Sequence, residues 1–333
     1  MNVNPVGWPG RGLQLVARLF SSGVNATTPV TAVSEAPISA TDVDLAIVTK
    51  GAGALLAQVP DGTAVGGNKR GARAVDFQRS RSAATQVASG ADSGVLSGAQ
   101  NVASNTSATV CGGLNNSATG LYSFIGGGNA NTAGGSFACV AGGQSNVASG
   151  AGPFIGSGAN NAADAQGSAI LGGYYGTARG IVGYHVFPAC NTPLTSNAGV
   201  TQSARLLLAR QTTDATATVL ASNNSAAATT NQVTLPNNSA YSFTGEVIAN
   251  VTGAGDTARW TINGAIKRGA NAASTTLVGT PTVTMTHNDA GAAAWVVAVT
   301  ANTTLGCLTV TVTGAAATTI RWVAKIDTTE VTF

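Results

Sequence analysis

The stretch Ile125–Gly150, "IGGGNANTAGGSFACVAGGQSNVASG", contains no Lys, Arg, Asp or Glu and is built mostly from Gly, Ala, Ser and Asn. Such a composition often marks a disordered linker. Its register says otherwise. In rows of fifteen from Val87, the chain reads VASGADSGVLSGAQN, VASNTSATVCGGLNN, SATGLYSFIGGGNAN, TAGGSFACVAGGQSN, VASGAGPFIGSGANN and AADAQGSAILGGYYG. The second place is Ala in every row: Ala88, Ala103, Ala118, Ala133, Ala148 and Ala163, with Ala178 opening a partial seventh row. The ninth is Val or Ile: Val95, Val110, Ile125, Val140, Ile155 and Ile170. The twelfth is Gly: Gly98, Gly113, Gly128, Gly143, Gly158 and Gly173. Asn closes five rows: Asn101, Asn116, Asn131, Asn146 and Asn161. A linker has no reason to hold that phase.

A short fixed period means that each row is one coil stacked on its neighbours, a β-solenoid. Fifteen residues allow two short strands and two turns, with the Ala column on one strand and the Val/Ile column on the other. A narrow coil has inner room only for methyls and one branched side chain per row. The Gly column supplies a positive φ or a close backbone approach at one turn. Asn suits the other turn, because it tolerates the left-handed region, and stacked Asn side chains can form a hydrogen-bonded ladder. Six coils at strand spacing make a rod of about 29 Å. Each buried Ala contributes under about 1 kcal/mol, so a lone rod is marginal and side-by-side association is expected, with a trimer as the closed solution.

The whole chain fits an all-β reading. Its 333 residues are 9% charged and 44% apolar, which excludes charge-driven disorder. Helix formers are scarce. The net charge of +3 is too small to point to nucleic acid, and no stretch approaches a membrane span, so neither nucleic-acid binding nor membrane insertion is expected. The apolar run "LQLVARLF" is interrupted by Arg18, and no signal peptide is read. Cys111, Cys139, Cys190 and Cys307 form no C-x-x-C motif and read as small buried apolar residues.

Residues 1–85 differ from the rows. Leu13, Val16 and Phe20, like Leu15 and Leu19, fall at helical spacing, so a short helix is expected there. The segment "KRGARAVDFQRSR" carries Lys69, Arg70, Arg73, Arg79 and Arg81, with Phe77 as its one aromatic residue. It reads as a solvated collar whose carboxylate partners come from adjacent chains.

Residues 186–199 form a neck marked by Pro188 and Pro193. Beyond it "ARLLLARQ", "ATATVLAS", "AYSFTGEVIANVT", "DTARWTINGAIKRG", "TPTVTMTHND", "AAAWVVAVT", "LGCLTVTVTG" and "TIRWVAKIDTTEVTF" read as strands, separated by turn signals such as "TGAGD" and "NDAG". Residues 200–333 are therefore expected to form an antiparallel sandwich or jelly roll, with Trp260, Trp295 and Trp322 as core or interface anchors.

Catalytic constellations are sparse. His185 and His287 lie in no metal-spaced cluster, and "HNDAG" from His287 reads as a loop. His185 with Tyr174, Tyr175 and Tyr184 reads as an aromatic plug closing the rod. Glycoside cleavage calls for paired carboxylates. Asp92 and Asp164 lie almost five rows apart, and Asp214, Glu246, Asp256, Asp289, Asp327 and Glu330 are scattered over strands and turns. The chain is expected not to be an enzyme, with no catalytic, cofactor-binding or metal-binding residues and no cofactor.

The rows "NVASGAGPFIGSG" and "NTAGGSFACVAGG" resemble the head repeat of trimeric autotransporter adhesins (YadA-like), a left-handed parallel β-roll whose three chains pack together; the repeat also occurs in bacteriophage fibre and tail proteins. Lys50–Ala91 resembles the lead-in to this repeat in phage tail proteins, and the resemblance covers roughly residues 45–185. It implies a homotrimeric phage tail fibre: 1–85 for virion attachment and trimerisation, 86–185 as the β-roll, 186–199 as the neck and 200–333 as a distal knob. The protein would assemble in the host cytoplasm, reside in the virion, contact other virion structural proteins through its N-terminal region and bind a host surface glycan through aromatic and polar loop groups. A capsid decoration protein or head fibre, a glycan-degrading tailspike and a bacterial adhesin are the alternatives.

Overall fold

The computed structural model describes residues 52–189, 194–253 and 255–333. The helix expected around Leu13–Phe20 and Cys190 lie outside the described residues.

The rows form a β-solenoid in which two residues per strand are enough, because each pair is hydrogen-bonded to the coils before and after it. One parallel column runs through Gly94–Val95, Thr109–Val110, Phe124–Ile125, Cys139–Val140, Phe154–Ile155 and Ala169–Ile170. The other runs through Val102–Ala103, Ser117–Ala118, Thr132–Ala133, Val147–Ala148 and Ala162–Ala163. The register stacks like on like, Val110 on Ile125 and Ala118 on Ala133. Every inward Val, Ile and Ala of these columns is fully buried.

The ladder starts before the fifteen-residue period does. Leu55 pairs with Val75, twenty residues on, and Val75 with Gly94, nineteen on. These coils carry charge inward, with Asp76 at the place that Val95 holds in the next coil. The Arg70 guanidinium donates from Nε to Asp76 at 2.7 Å, with both side chains fully buried, and Arg81 reaches the same carboxylate at 3.3 Å. Arg73 pairs with Asp92 at 2.6 Å on the surface. The basic segment is thus not simply a solvated collar partnered by other chains: three of its arginines pair with two carboxylates of this one. Lys69 and Arg79 stay exposed.

The corners also correct the sequence expectation. The row-end Asn is not the left-handed residue; its predecessor is, from Gln100 through Asn115, Ala130, Ser145 and Asn160 to Tyr175. The Asn side chain instead points inward and builds the ladder. Asn131 Oδ1 accepts the Asn146 backbone N–H at 3.0 Å, while its Nδ2 donates to the Gly127 and Gly143 carbonyls at 3.0 and 2.9 Å. Gln78 heads the column, with Oε1 accepting from the Asn101 N–H at 2.8 Å. Each buried amide is satisfied twice over, which is what a buried polar column requires. The Gly column needs both properties assigned to it: Gly128 has φ +91°, and a Cβ there would lie 2.1 Å from the Gly143 carbonyl oxygen.

A second left-handed corner runs through Arg73, Asp92, Ser107, Tyr122, Phe137, Gly152, Gly167 and Gly183, and these eight corners bound seven turns of solenoid. The aromatic plug does not form. Only Tyr184 is buried, while Tyr174 and His185 are exposed.

The solenoid column continues into the C-terminal region through His185–Pro188, which pairs antiparallel with Thr201–Thr212. Every run read as a strand beyond the neck falls on one. A long antiparallel sheet orders Thr201–Thr212, Ile320–Thr332, Ser239–Val251 and Thr257–Arg268, with Thr282–Asn288 at the far edge. A second sheet is centred on Cys307–Thr313, flanked by Val296–Asn302 on one side and by Thr218–Val219 and Val233–Thr234 on the other. Alternation sets the faces. Along Ser239–Val251 every second residue is buried from Ser239 to Ala249. Trp322 lies between Trp260 and Trp295, with ring centroids 5.7 and 5.6 Å apart, and its Nε1 donates to Thr212 Oγ1 at 2.9 Å. The three tryptophans are core residues.

A buried polar junction joins solenoid to sheet. Glu330 is surrounded by Gln202 Nε2 at 2.8 Å, Thr328 Oγ1 at 2.8 Å, Arg179 at 3.3 Å and the Tyr184 hydroxyl, which donates to it. The Arg179 guanidinium also lies 5.9 Å above the Tyr241 ring. Burial, reinforced by the Glu330 charge, pushes the Tyr184 and Tyr241 hydroxyls well above the ordinary tyrosine range.

Candidate recognition face

The outer face of the long sheet is where exposed chemistry concentrates. The alternation that buries Trp322, Ala324, Ile326 and Thr328 turns Val323, Lys325, Asp327 and Thr329 outward. Pairing then sets these residues beside outward residues from distant parts of the chain: Asp327 faces Arg205 on one side and Thr244 on the other, and Lys325 faces Leu207 and Glu246.

The result is a row of alternating charge across the strands. Arg205 Nε donates to Asp327 at 2.7 Å, and that bond and charge hold the guanidinium above its ordinary value. Glu246 accepts from Arg259 at 2.9 Å and faces Lys325 at 3.8 Å. Arg259 continues to Thr286 Oγ1 at 3.2 Å. Two shallow cavities share Thr244 and Asp327; one, of about 270 Å³, reaches Arg205 and Phe187, and the other, of about 410 Å³, reaches Glu246 and Lys325. A third, of about 580 Å³, lies over Arg259 and His287. Half-exposed Leu207, Val323 and Ile248 give the same face an apolar flank.

This arrangement can bind a polar, extended ligand: paired charges and threonine hydroxyls offer donors and acceptors, and the apolar flank offers contact area. The carboxylates are brought together only in part. Glu246 and Asp327 line one cavity, each held by a cation, whereas Glu330 is buried in the junction and Asp92 pairs with Arg73 on the solenoid. Asp289 accepts the Thr257 N–H at 2.9 Å and Asp214 the Thr216 N–H at 2.7 Å, both as turn residues. Among the described residues no three His, Cys, Asp or Glu side chains gather as a metal site, and no helix is long and apolar enough to cross a membrane. Sequence reasoning missed this face because its residues meet by strand pairing; the only linear signal was the polar half of each alternating run.

No family model matches the chain, and no curated protein matches it. Solved structures match it at low similarity, two of them phage tailspikes. One is the tailspike of Acinetobacter baumannii bacteriophage Fri1, a capsular polysaccharide depolymerase, at 10% identity and a TM-score of 0.23, covering 83% of this chain and 44% of that one. The other is the tailspike of A. baumannii phage AM24, at 9% identity and a TM-score of 0.22, covering 84% of this chain and 52% of that one. The chain thus spans about half the length of the structures it matches. The expectation that it is not an enzyme is corrected on this point: the Fri1 tailspike is a depolymerase.

Proposed function

We propose that this chain is a trimeric bacteriophage tail component that recognises a host surface polysaccharide. The solenoid is the spacer, the two C-terminal sheets form a sandwich knob, the outer face of its long sheet carries the recognition groups, and the N-terminal region attaches to the virion. The observation that carries the reading is the union of a stacked-coil rod with an antiparallel domain through one buried polar junction, which suits a rigid spacer holding a binding domain away from its anchor.

The trimer is supported by an outward apolar stripe on one strand column of the rod. Phe124 and Phe154 are 39% and 38% exposed with Cys139 between them, and Leu96 and Leu171 stand two residues on in their coils at 46% and 59%. Packing of that stripe against two further copies supplies burial that a narrow coil lacks.

Antibody-gold electron microscopy on phage particles tests the location: gold at tail tips supports the reading, and gold spread over the head favours a decoration protein. Purified host polysaccharide tests recognition. Wild-type protein is expected to bind it, and charge reversal at Arg259 and Lys325 to weaken binding; indifference to that reversal removes the long-sheet face from the reading. New reducing ends after incubation would add cleavage to recognition.

A further inference from the structure

We propose that the solenoid carries a saccharide-stacking subsite of its own, built by Tyr122 and Phe137 and continued over Gly152, Gly167 and Gly183. It rests on the polysaccharide-recognition reading above and places a second contact for the same ligand class on the rod.

The knob offers few rings for a sugar. Tyr241, Phe243, Trp260, Trp295 and Trp322 are all at most 3% exposed, leaving Phe187 at 46%, the His287 imidazole and Phe333 as its exposed rings. The rod is the reverse. Tyr122 and Phe137 project at 50% and 62% exposure from successive coils, with ring centroids 5.3 Å apart and planes 20° from parallel. Both occupy left-handed corners, at φ 56° and 58°. Bulky residues are strained there, and such strain concentrates at ligand-binding positions. The next three members of the same corner column are glycines, at which the conformation is relaxed.

Those glycines leave one face of the stack open. A Cβ placed on Gly152, Gly167 or Gly183 would meet nothing within 4 Å. The far face of the Phe137 ring therefore looks along a bare strip about three coils, or about 14 Å, long. The strip ends where the knob touches the rod, at the Val182 N–H to Thr230 carbonyl bond of 2.8 Å. Exposed Ser136 and Gln166 flank it.

A pyranose ring fits this chemistry. It presents an apolar C–H face to an aromatic ring and hydroxyls to a polar rim, and a chain of such rings runs along the strip without meeting a side chain on the corner. A free aromatic face continuing an existing stack, with polar groups only at the sides, discriminates in favour of such an amphipathic ring over a phosphate.

The test uses the full chain on an array of purified bacterial capsular polysaccharides and lipopolysaccharide O-chains. Phe137→Ala is expected to weaken the bound glycans about tenfold, roughly what one ring contact amounts to. Tyr122→Ser, which copies Ser107 of the same column, should weaken them less. Gly152→Asn leaves both rings in place and fills the strip with a residue that tolerates the corner; it should also weaken binding, and it covers the case in which an aromatic variant fails to fold. If Phe137→Ala and Gly152→Asn bind as wild type while reversal of Arg259 and Lys325 abolishes binding, the rod subsite is overturned and recognition by the knob stands. If wild-type protein binds no glycan on the array, both fall. If Phe137→Ala changes the mass by light scattering instead, the ring belongs to a chain–chain contact and the subsite is overturned.

Discussion

Arg179, on the last coil of the solenoid, reaches Glu330, on the last strand of the chain, at 3.3 Å across 151 residues of sequence. The carboxylate side chain is fully buried and the guanidinium nearly so. The pair closes the rod against the long sheet, so the rigidity of that junction depends on a buried charge being matched.

Breaking the pair from one side should be costly. Glu330→Gln leaves the Arg179 charge in a poor dielectric and is expected to lower unfolding free energy by about 3–5 kcal/mol. Replacing both, as Arg179→Met with Glu330→Leu, should recover a large part of that loss, because neither charge then needs a partner. Urea denaturation of the three variants measures this. A single-variant change under about 0.5 kcal/mol would mean that solvent reaches the junction.

Alkaline pH should act on the same place. An unfolded tyrosine loses its proton at about pH 10. Tyr184 and Tyr241 have raised values in the folded chain, so they keep their protons where the unfolded chain has lost them. Their stabilising contribution is complete below about pH 10 and is lost as pH climbs from there toward the folded values, at about 1.4 kcal/mol per pH unit for each group. The Tyr241 hydroxyl is buried without a hydrogen-bond partner. Tyr241→Phe is therefore expected to cost under about 1 kcal/mol at pH 8 and to flatten the loss between pH 10 and 11. Identical wild-type and variant curves across that range would assign the alkaline sensitivity elsewhere.

Two glycines in adjoining coils separate space from composition. Gly128→Ala drives a Cβ to 2.1 Å from the Gly143 carbonyl oxygen at φ +91°, while Gly142 has nothing within 4 Å of its Cβ position. Gly128→Ala is expected to cost about 2 kcal/mol or more, and Gly142→Ala to stay within about 0.5 kcal/mol. Thermal melts followed by circular dichroism decide it; equal shifts would mean that the coils separate to make room.

The same contrast shows what the sequence could and could not tell. The Ala, Val/Ile and Gly columns were legible because stacking forces like residues into register, and so were the strands beyond the neck, because alternation fixes a face. The left-handed corner was placed one residue late: Asn at the row end has the conformational licence for it, yet its amide serves the buried ladder. The two early coils were hidden because four or five added residues break the period, and because Asp76, paired with Arg70 and Arg81, takes the inward place that Val95 holds in the next coil. The junction and the recognition face join residues over a hundred positions apart, Arg205 with Asp327 and Arg179 with Glu330. No local pattern encodes which strand lies beside Thr201–Thr212.

The rod's apolar stripe gives the assembly a direct test. Phe124 and Phe154 point away from the coil interior, where Ile125 and Ile155 fill the space, so a charge at either position disturbs no intrachain core. Phe124→Glu combined with Phe154→Glu should preserve the far-ultraviolet circular dichroism of a β protein while placing three like charges at each of two levels of a three-chain seam. Light scattering after gel filtration is expected to give three times the chain mass of 32.6 kDa for wild type and the chain mass for the double variant. A trimer that survives both glutamates would place the seam on another face of the rod. A wild-type monomer would mean that the exposed rings serve something other than chain–chain packing, and that the narrow coils are held by the Asn ladder and the C-terminal domain alone.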